Sequence, residues 1–201
     1  RCLVGSEMCI RDRLGATAQN ISTLVEQLLE VSRIETGHLD VKMENVNVTE
    51  LFNELAAEFA PVAATKGFFF LTRPLPLTVY TDPLFVKRIL TNLITNAIGY
   101  RQKPGSKIVL AARRLRNGRI TIGVYDQGPG IASEERHRIF DAFYRGEASK
   151  TAETGYGLGL SIVSGLAKRL GIPITVGSRF GHGSVFRLEF ANVKNAHAEH
   201  A

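Results

Sequence analysis

The sequence predicts an α/β domain preceded by one long helix, and three observations predict it. Segments with apolar residues at three- and four-residue steps alternate with short runs rich in β-branched and aromatic residues, the two periods that helices and strands leave in a chain. Asn117-Gly118 stands between two of the strand-like runs and is the strongest kind of short hairpin signal. The chain of 201 residues, 44% hydrophobic and 22% charged, suffices for one ordinary domain with an appendage. No apolar run approaches the roughly 18 residues of a membrane span.

Arg1 to Arg13 has no amphipathic period and no signal-peptide cleavage pattern, and it reads as a non-native leader. It holds both cysteines, Cys2 and Cys9, which argues against a disulfide scaffold and fits a reducing compartment. From about Ala16 to Thr36, the residues Ile21, Leu24, Val25, Leu28, Leu29, Val31 and Ile34 form an apolar stripe that Gly37 ends. Such a helix needs a partner, either the body of the domain or another helix. A second helix is expected over about Glu50 to Thr65, capped by Thr49 and kinked or divided by Pro61.

Strands at Phe68 to Thr72 and Thr78 to Tyr80 flank a loop marked by Pro74 and Pro76. Thr81-Asp82-Pro83 then starts a helix running to about Tyr100, with proline in its first turn. A hairpin follows, roughly Lys107 to Leu115 and Arg119 to Asp126, the second strand alternating Ile120, Ile122, Val124. Ile131 to Thr154 is a long connection of mixed character, suited to a mobile lid. Gly155 to Leu160 opens a helix with Ile162, Val163, Leu166, Ala167 and Leu170 on its buried side. Strands at Ile174 to Val176 and Val185 to Phe190 are joined through Gly181-His182-Gly183-Ser184, and the polar tail from Ala191 frays, with 192–201 expected to be disordered.

A formal net charge of +6 invites a nucleic-acid reading. Arg113, Arg114, Arg116 and Arg119, however, flank the Asn117-Gly118 turn, and no aromatic platform or DNA-reading motif accompanies them, so no nucleic-acid partner is expected.

Three stretches carry possible chemistry. Gly155-Tyr156-Gly157-Leu158-Gly159-Leu160 puts a flexible backbone at a helix start, where unpaired amides and the helix dipole suit phosphate oxygens; alone, it serves equally well as a tight turn. Asn92 and Asn96 lie one turn apart in an otherwise apolar helix, where an amide oxygen either caps a neighbouring loop or ligates magnesium, which takes few protein ligands. Asp126-Gln127-Gly128-Pro129-Gly130 sets a carboxylate at a strand end beside glycines. It can accept from an exocyclic amine such as that of adenine, or simply form an Asp-Gly turn.

In this order, Asn92 with Asn96, Asp126 to Gly130, Phe140 with Phe143, Gly155 to Leu160 and Gly181 to Ser184 resemble the N, G1, F, G2 and G3 boxes of bacterial sensor histidine kinases of two-component systems. The resemblance covers about Ile21 to Phe190, and Ser32 to Gly37 is similar to the close of the second helix of that family's dimerisation and phosphotransfer hairpin. It implies the Bergerat ATP-binding fold, a two-layer α/β sandwich with helices on one face of a mixed sheet. It also divides the chain into a hairpin remnant at 14–40 and a catalytic ATP-binding domain at 46–191.

Residue by residue, the resemblance implies that Asn96 ligates Mg2+ and that Asn92 orients the phosphates or water around it. Asp126 takes the adenine amine of ATP, with Gly128 and Gly130 shaping the pocket and Tyr100 flanking the nucleotide. Phe140 and Phe143 seat the lid and Arg145 reaches the terminal phosphate. Gly155, Gly157 and Gly159, with Leu158 and Leu160, form the turn around the phosphate chain. The implied partners are a phosphoacceptor histidine hairpin of the same or a partner subunit, a second copy of the intact protein and a response-regulator receiver domain. The fragment is expected in the cytoplasm without membrane contact of its own, and the intact parent can still be anchored in the inner membrane.

Two departures stand out. Gly99 occupies the position where the family usually has lysine or arginine, so a phosphate contact is missing unless Arg101 or Arg88 replaces it. The phosphoacceptor box is also absent: His38, His137, His182, His197 and His200 lack its His-Glu-Leu-Arg-like context, so the chain is expected to bind ATP and not to phosphorylate itself there. An ATPase of the same fold is one alternative; such enzymes use a glutamate where this chain has Asn92, which cannot take a proton from water. The others are a degenerate nucleotide-binding or interaction module and a serine/threonine kinase of the same fold, the latter disfavoured by the Ile21 to Gly37 helix.

Overall fold

The computed structural model of the chain describes residue 18 and residues 21–37, 39–100, 103–146 and 155–191. The leader at 1–13, the start of the first helix, His38, Arg101, the 147–154 part of the connection and the tail from 192 lie outside the described residues.

Helix α1 covers 21–35. Strand β1 (Glu44–Asn47) follows, then α2 (Val48–Thr65), β2 (Phe69–Arg73), β3 (Thr78–Thr81) and α3 (Pro83–Gly99). The hairpin is β4 (Lys107–Arg114) and β5 (Ile120–Tyr125); a 3-10 turn at Ser133–Glu135 precedes α4 (Gly159–Arg169), β6 (Ile174–Arg179) and β7 (Gly183–Phe190). Strand β1 was not anticipated, because Val46 is its single buried residue. It exists by pairing antiparallel with β3, Val46 opposite Val79.

The main sheet has the order β2-β4-β5-β7-β6. Strands β2 and β4 are parallel, joined by a crossover through β3 and α3, and the remaining pairs are antiparallel. Helix α2 packs on β2, α3 crosses β4 and β5, and α4 lies against α3. The expected two-layer α/β sandwich is therefore the observed architecture. Phe52 and Leu55 of α2, Ile89, Leu90, Leu93 and Ile94 of α3 and Ile162 of α4 meet Ile108, Leu110 and Ile122 of the sheet, all essentially inaccessible. Each contributes about 1.5–3 kcal/mol by burial, which fixes α3 and α4 at the places where the chemistry-bearing residues emerge.

Two local expectations are corrected. The cap of α2 is Asn47, not Thr49: its Oδ1 accepts from the amides of Thr49 at 2.9 Å and Glu50 at 3.4 Å, because the helix starts at Val48, which is fully buried. Pro61 does not divide α2, whose buried residues Leu55, Phe59 and Ala63 hold both halves in one run. The start of α3 is as expected, with buried Asp82 accepting from the Phe85 amide at 3.0 Å ahead of Pro83.

On the hairpin, Asn117 Oδ1 accepts from the Arg119 amide at 3.0 Å in the turn. The Arg119 guanidinium pairs with Glu189 at 2.8 Å, and those of Arg113 and Arg187 lie over the Tyr125 ring at 5.9 and 5.6 Å. Among the described residues, no helix is long and apolar enough to cross a membrane.

Candidate functional site

Strand β5 ends at Tyr125, directly before Asp126, and the β6–β7 turn folds back over that aspartate. The Asp126 amide donates to the Ser184 carbonyl at 2.9 Å, and the Gly181 amide donates to the Pro129 carbonyl at 2.7 Å. Asp126 Oδ1 accepts from the amides of Gly128 at 2.8 Å and Ser184 at 3.2 Å. Both bonds fall on one oxygen, and among the described residues no donor meets Oδ2. Burial pushes the Asp126 carboxyl above the ordinary aspartate range, with the two amides pulling the other way. The site thus holds one fixed, partly desolvated acceptor.

Ser178, which the sequence did not single out, ties this corner together. Its hydroxyl accepts from the Ile131 amide at 2.8 Å, donates to the Gly183 carbonyl at 3.0 Å and lies 3.0 Å from the Ser184 hydroxyl. At Gly130, φ is +71° and a methyl would overlap the Arg179 carbonyl, so glycine is what allows the turn and the strand end to meet.

Asp126 and Gly130 line a cavity of about 510 Å³. Its walls include Asn92, Asn96, Gly99 and Tyr100 of the α3 end, Val124 and Phe186 of the sheet and the start of α4. Burial raises the Tyr100 phenol above its usual pKa, and the Asp126 charge adds to this, so the ring stays neutral.

Helix α4 begins at Gly159 behind Leu158, which supplies no side-chain cap. The first amides and the positive end of the dipole are thereby left to a ligand. A methyl on Gly159 would lie 3.3 Å from Asn92 Oδ1 and 3.5 Å from Asn96 Oδ1, so the two amide oxygens flank the helix start. Asn92 is turned that way because its Nδ2 donates to the Arg88 carbonyl at 3.0 Å.

Among the described residues no group of three or more His, Cys, Asp or Glu gathers around a metal position. A donor set of amide oxygens suits a cation that keeps several waters and takes phosphate oxygens, which is the habit of magnesium.

The connection docks through its backbone. The Phe143 amide donates to the Gly157 carbonyl at 2.9 Å. Gly157 has φ +74°, and a methyl on it would sit 2.7 Å from the Phe143 carbonyl carbon. Phe143, expected to seat the lid, meets the glycine turn through this backbone contact; with φ +64° at that residue, the ring turns outward and is 61% exposed. Tyr144 anchors the segment instead, its hydroxyl donating to Glu135 at 3.3 Å and its ring lying 4.5 Å from the Arg138 guanidinium.

Of the expected site residues, Asn92, Asn96, Tyr100, Asp126, Gly130, Arg145, Gly155, Gly157, Gly159 and Leu160 line the one cavity. Gly128, Phe140, Phe143 and Leu158 do not. Gly128 shapes the Asp126 turn from behind, Phe140 packs on the core beside buried Ile139, and Leu158 is fully buried.

Residues that the sequence left unassigned include Ile139, Tyr144, Glu135, Ser184, Thr23 and Gln27, all on the cavity wall. Ser184 stands inside the Gly181 to Ser184 motif, which was its signal; Thr23 and Gln27 come from α1 and had none. Arg88 does not replace the missing basic residue at position 99, since Glu30 holds its guanidinium through Nη2 at 2.7 Å and Nε at 3.1 Å. A methyl at Gly99 would meet nothing within 4 Å.

A family model described as histidine kinase-, DNA gyrase B- and HSP90-like ATPase matches residues 81–194. The sensor-like histidine kinase SenX3 of Mycobacterium tuberculosis is 34% identical over 173 residues, which make up 85% of this chain and 42% of SenX3. Among solved structures, full-length ShkA in complex with AMPPNP superposes with a TM-score of 0.77 at 29% identity, over 91% of this chain and 39% of ShkA. The histidine kinase ThkA, solved in complex with the response regulator TrrA, shares the fold with a TM-score of 0.70 at 23% identity, over 92% of this chain and 51% of that one. The chain thus spans about two-fifths of the length of SenX3 and of ShkA.

Proposed function

The chain belongs to the histidine kinase-, DNA gyrase B- and HSP90-like ATPase family, and we propose from this that it is the ATP-binding catalytic part of a sensor histidine kinase. In the intact protein it would pass the γ-phosphoryl group of ATP to a histidine. The observation that carries the reading is the shared cavity: an aspartate with one oxygen fixed and one available, an uncapped helix start, and two asparagine amides beside it.

In this reading Asp126 Oδ2 accepts from the adenine amine, and Tyr100 and the glycines at 128 and 130 shape the base pocket. The α4 amides and Arg145 meet the phosphate charge, while Asn96, assisted by Asn92, holds the magnesium that neutralises it. In the transfer, the bond from the γ-phosphorus to its bridging oxygen breaks and a bond to a histidine nitrogen forms. The bridging oxygen keeps the electron pair and leaves on the β-phosphate, as ADP. Such a reaction asks the protein for positioning and charge neutralisation more than for covalent help. A histidine nitrogen suits it because its near-neutral pKa supplies a nucleophile at cellular pH.

We take 46–191 as the catalytic domain and 14–40 as the remnant of the hairpin that carries the acceptor histidine, on the same or a partner subunit of a homodimer. The next acceptor is an aspartate on a response-regulator receiver domain, and the part described by this chain works in the cytoplasm. Support comes from the likeness to SenX3 and from the ThkA structure with its regulator.

The test is a calorimetric titration of the chain with ATP, with and without magnesium, alongside a phosphate-release assay. Micromolar binding, on the order of −8 kcal/mol, with little hydrolysis is expected, since Asn92 cannot take a proton from water. Rapid phosphate release would favour the ATPase reading, and a folded chain that binds no ATP would overturn both. The open space at Gly99 adds a second expectation. Gly99→Lys places an ammonium at the cavity wall and tightens ATP binding roughly tenfold, measured by the same titration.

A further inference from the structure

Helix α1 stands outside the α/β sandwich, yet one stripe of it is seated on α3 and α4. Thr23, Gln27, Glu30 and Ile34 recur at four-, three- and four-residue steps and so share a face. On that face the half-buried Glu30 receives the Arg88 guanidinium of α3 through Nη2 at 2.7 Å and Nε at 3.1 and 3.2 Å. Ile34 lies so close to α4 that a methyl on Gly165 would sit 2.5 Å from its Cγ2. Past the end of the helix, Arg169 of α4 donates to the Leu39 carbonyl from Nη2 at 2.9 Å and from Nε at 3.3 Å, and to that of Gly37 at 3.4 Å.

Seated this way, α1 brings Thr23 and Gln27 to the wall of the same cavity as Asn92 and Asn96. With the helix in place the cavity still measures about 510 Å³, within the range of small-molecule sites. The helix therefore walls the space without filling it. Arg88 lies one turn before Asn92 and accepts its amide at 3.0 Å, so the tie to Glu30 ends beside the asparagine pair.

We propose that α1 is a structural wall of the nucleotide site, held there by Glu30 and Arg88, so that a bound nucleotide and the seated helix stabilise each other. Gln27 and Thr23 act as positioning residues at that wall. The inference rests on the nucleotide reading of the cavity. Because such coupling is reciprocal, loosening the helix must weaken nucleotide binding and nucleotide must protect the helix.

The experiment titrates a methylanthraniloyl-labelled ADP with the full chain by fluorescence anisotropy, in the wild type and in Glu30→Ala, Gln27→Ala and Glu35→Ala. Amide hydrogen exchange over 21–35 is measured with and without ADP. The expected result is binding weaker by about fivefold or more in Glu30→Ala and Gln27→Ala, with no change in Glu35→Ala, an exposed position of the same helix. ADP slows exchange of the α1 amides in the wild type and ceases to do so in Glu30→Ala. Unchanged or tighter binding in both wall variants, or exchange indifferent to ADP, overturns the coupling while leaving the nucleotide site standing. Failure of the wild type to bind ADP overturns the coupling and the nucleotide reading together.

Discussion

Asp126→Asn is expected to weaken ATP binding roughly 100-fold while making the folded chain more stable. The loss follows from which oxygen is occupied. Oδ1 accepts both the Gly128 and Ser184 amides, so an asparagine keeps its carbonyl there and turns its NH2 to the place of Oδ2. A donor then faces the adenine amine, itself a donor. The gain in stability follows from burial, which raises the carboxyl's pKa in the folded state and so marks the charged form as the disfavoured one.

The sign is that of any group with a raised folded pKa. Its favourable contribution is complete below the unfolded value, near 3.8, and is lost as pH rises through the higher folded one. At neutral pH the variant should therefore have the higher Tm. That gap narrows as the pH is lowered toward 3.8. Thermal melts across pH, set beside ATP titrations, read both effects. A variant that loses stability and affinity together would mean that the carboxylate serves the fold and not a ligand.

Asn96→Ala is expected to abolish the effect of magnesium on ATP binding, a loss of roughly tenfold or more in the presence of the metal and little change in its absence. The side chain emerges at the cavity from a helix whose other face is buried by Leu93, Ile94 and Ala97, and its Oδ1 flanks the start of α4. Removing it leaves the α3 core untouched, so a folded protein with magnesium-independent binding is the anticipated product. Titrations with ATP in magnesium and in EDTA decide it. An undiminished magnesium effect would remove Asn96 from the metal's surroundings.

The legibility of these features in the sequence varied with how local their causes are. Asp126 could be found because an alternating strand delivers it into Gly-Pro-Gly, and the N-terminus of α4 because three glycines precede an apolar helix. Strand β1 could not, since Glu44, Asn45 and Asn47 are exposed and only the ladder to β3 makes them a strand. Strand β6 likewise runs on through Gly177 and Ser178 to Arg179, three residues past its apolar run, because β7 pairs with it that far.

At the lid the string Phe143-Tyr144-Arg145 was visible, but which aromatic turns inward depends on the positive φ of Phe143, which no side-chain pattern records. Arg88 was legible only as one of two cations that could replace the missing basic residue at position 99. What engages it is Glu30, 58 residues earlier, a pairing set by how α1 is seated on α3.

The central claim is that Asp126 reads the amine of an adenine ring, and the most direct measurement compares ATP with purine riboside triphosphate, which differs only by lacking that amine. Magnesium is held constant and both are titrated into the wild-type chain. The expected result is a preference for ATP of roughly 100-fold, reduced to near parity in Asp126→Asn. Equal affinities in the wild type would contradict it, because a buried acceptor cannot be indifferent to losing the donor it was built to meet.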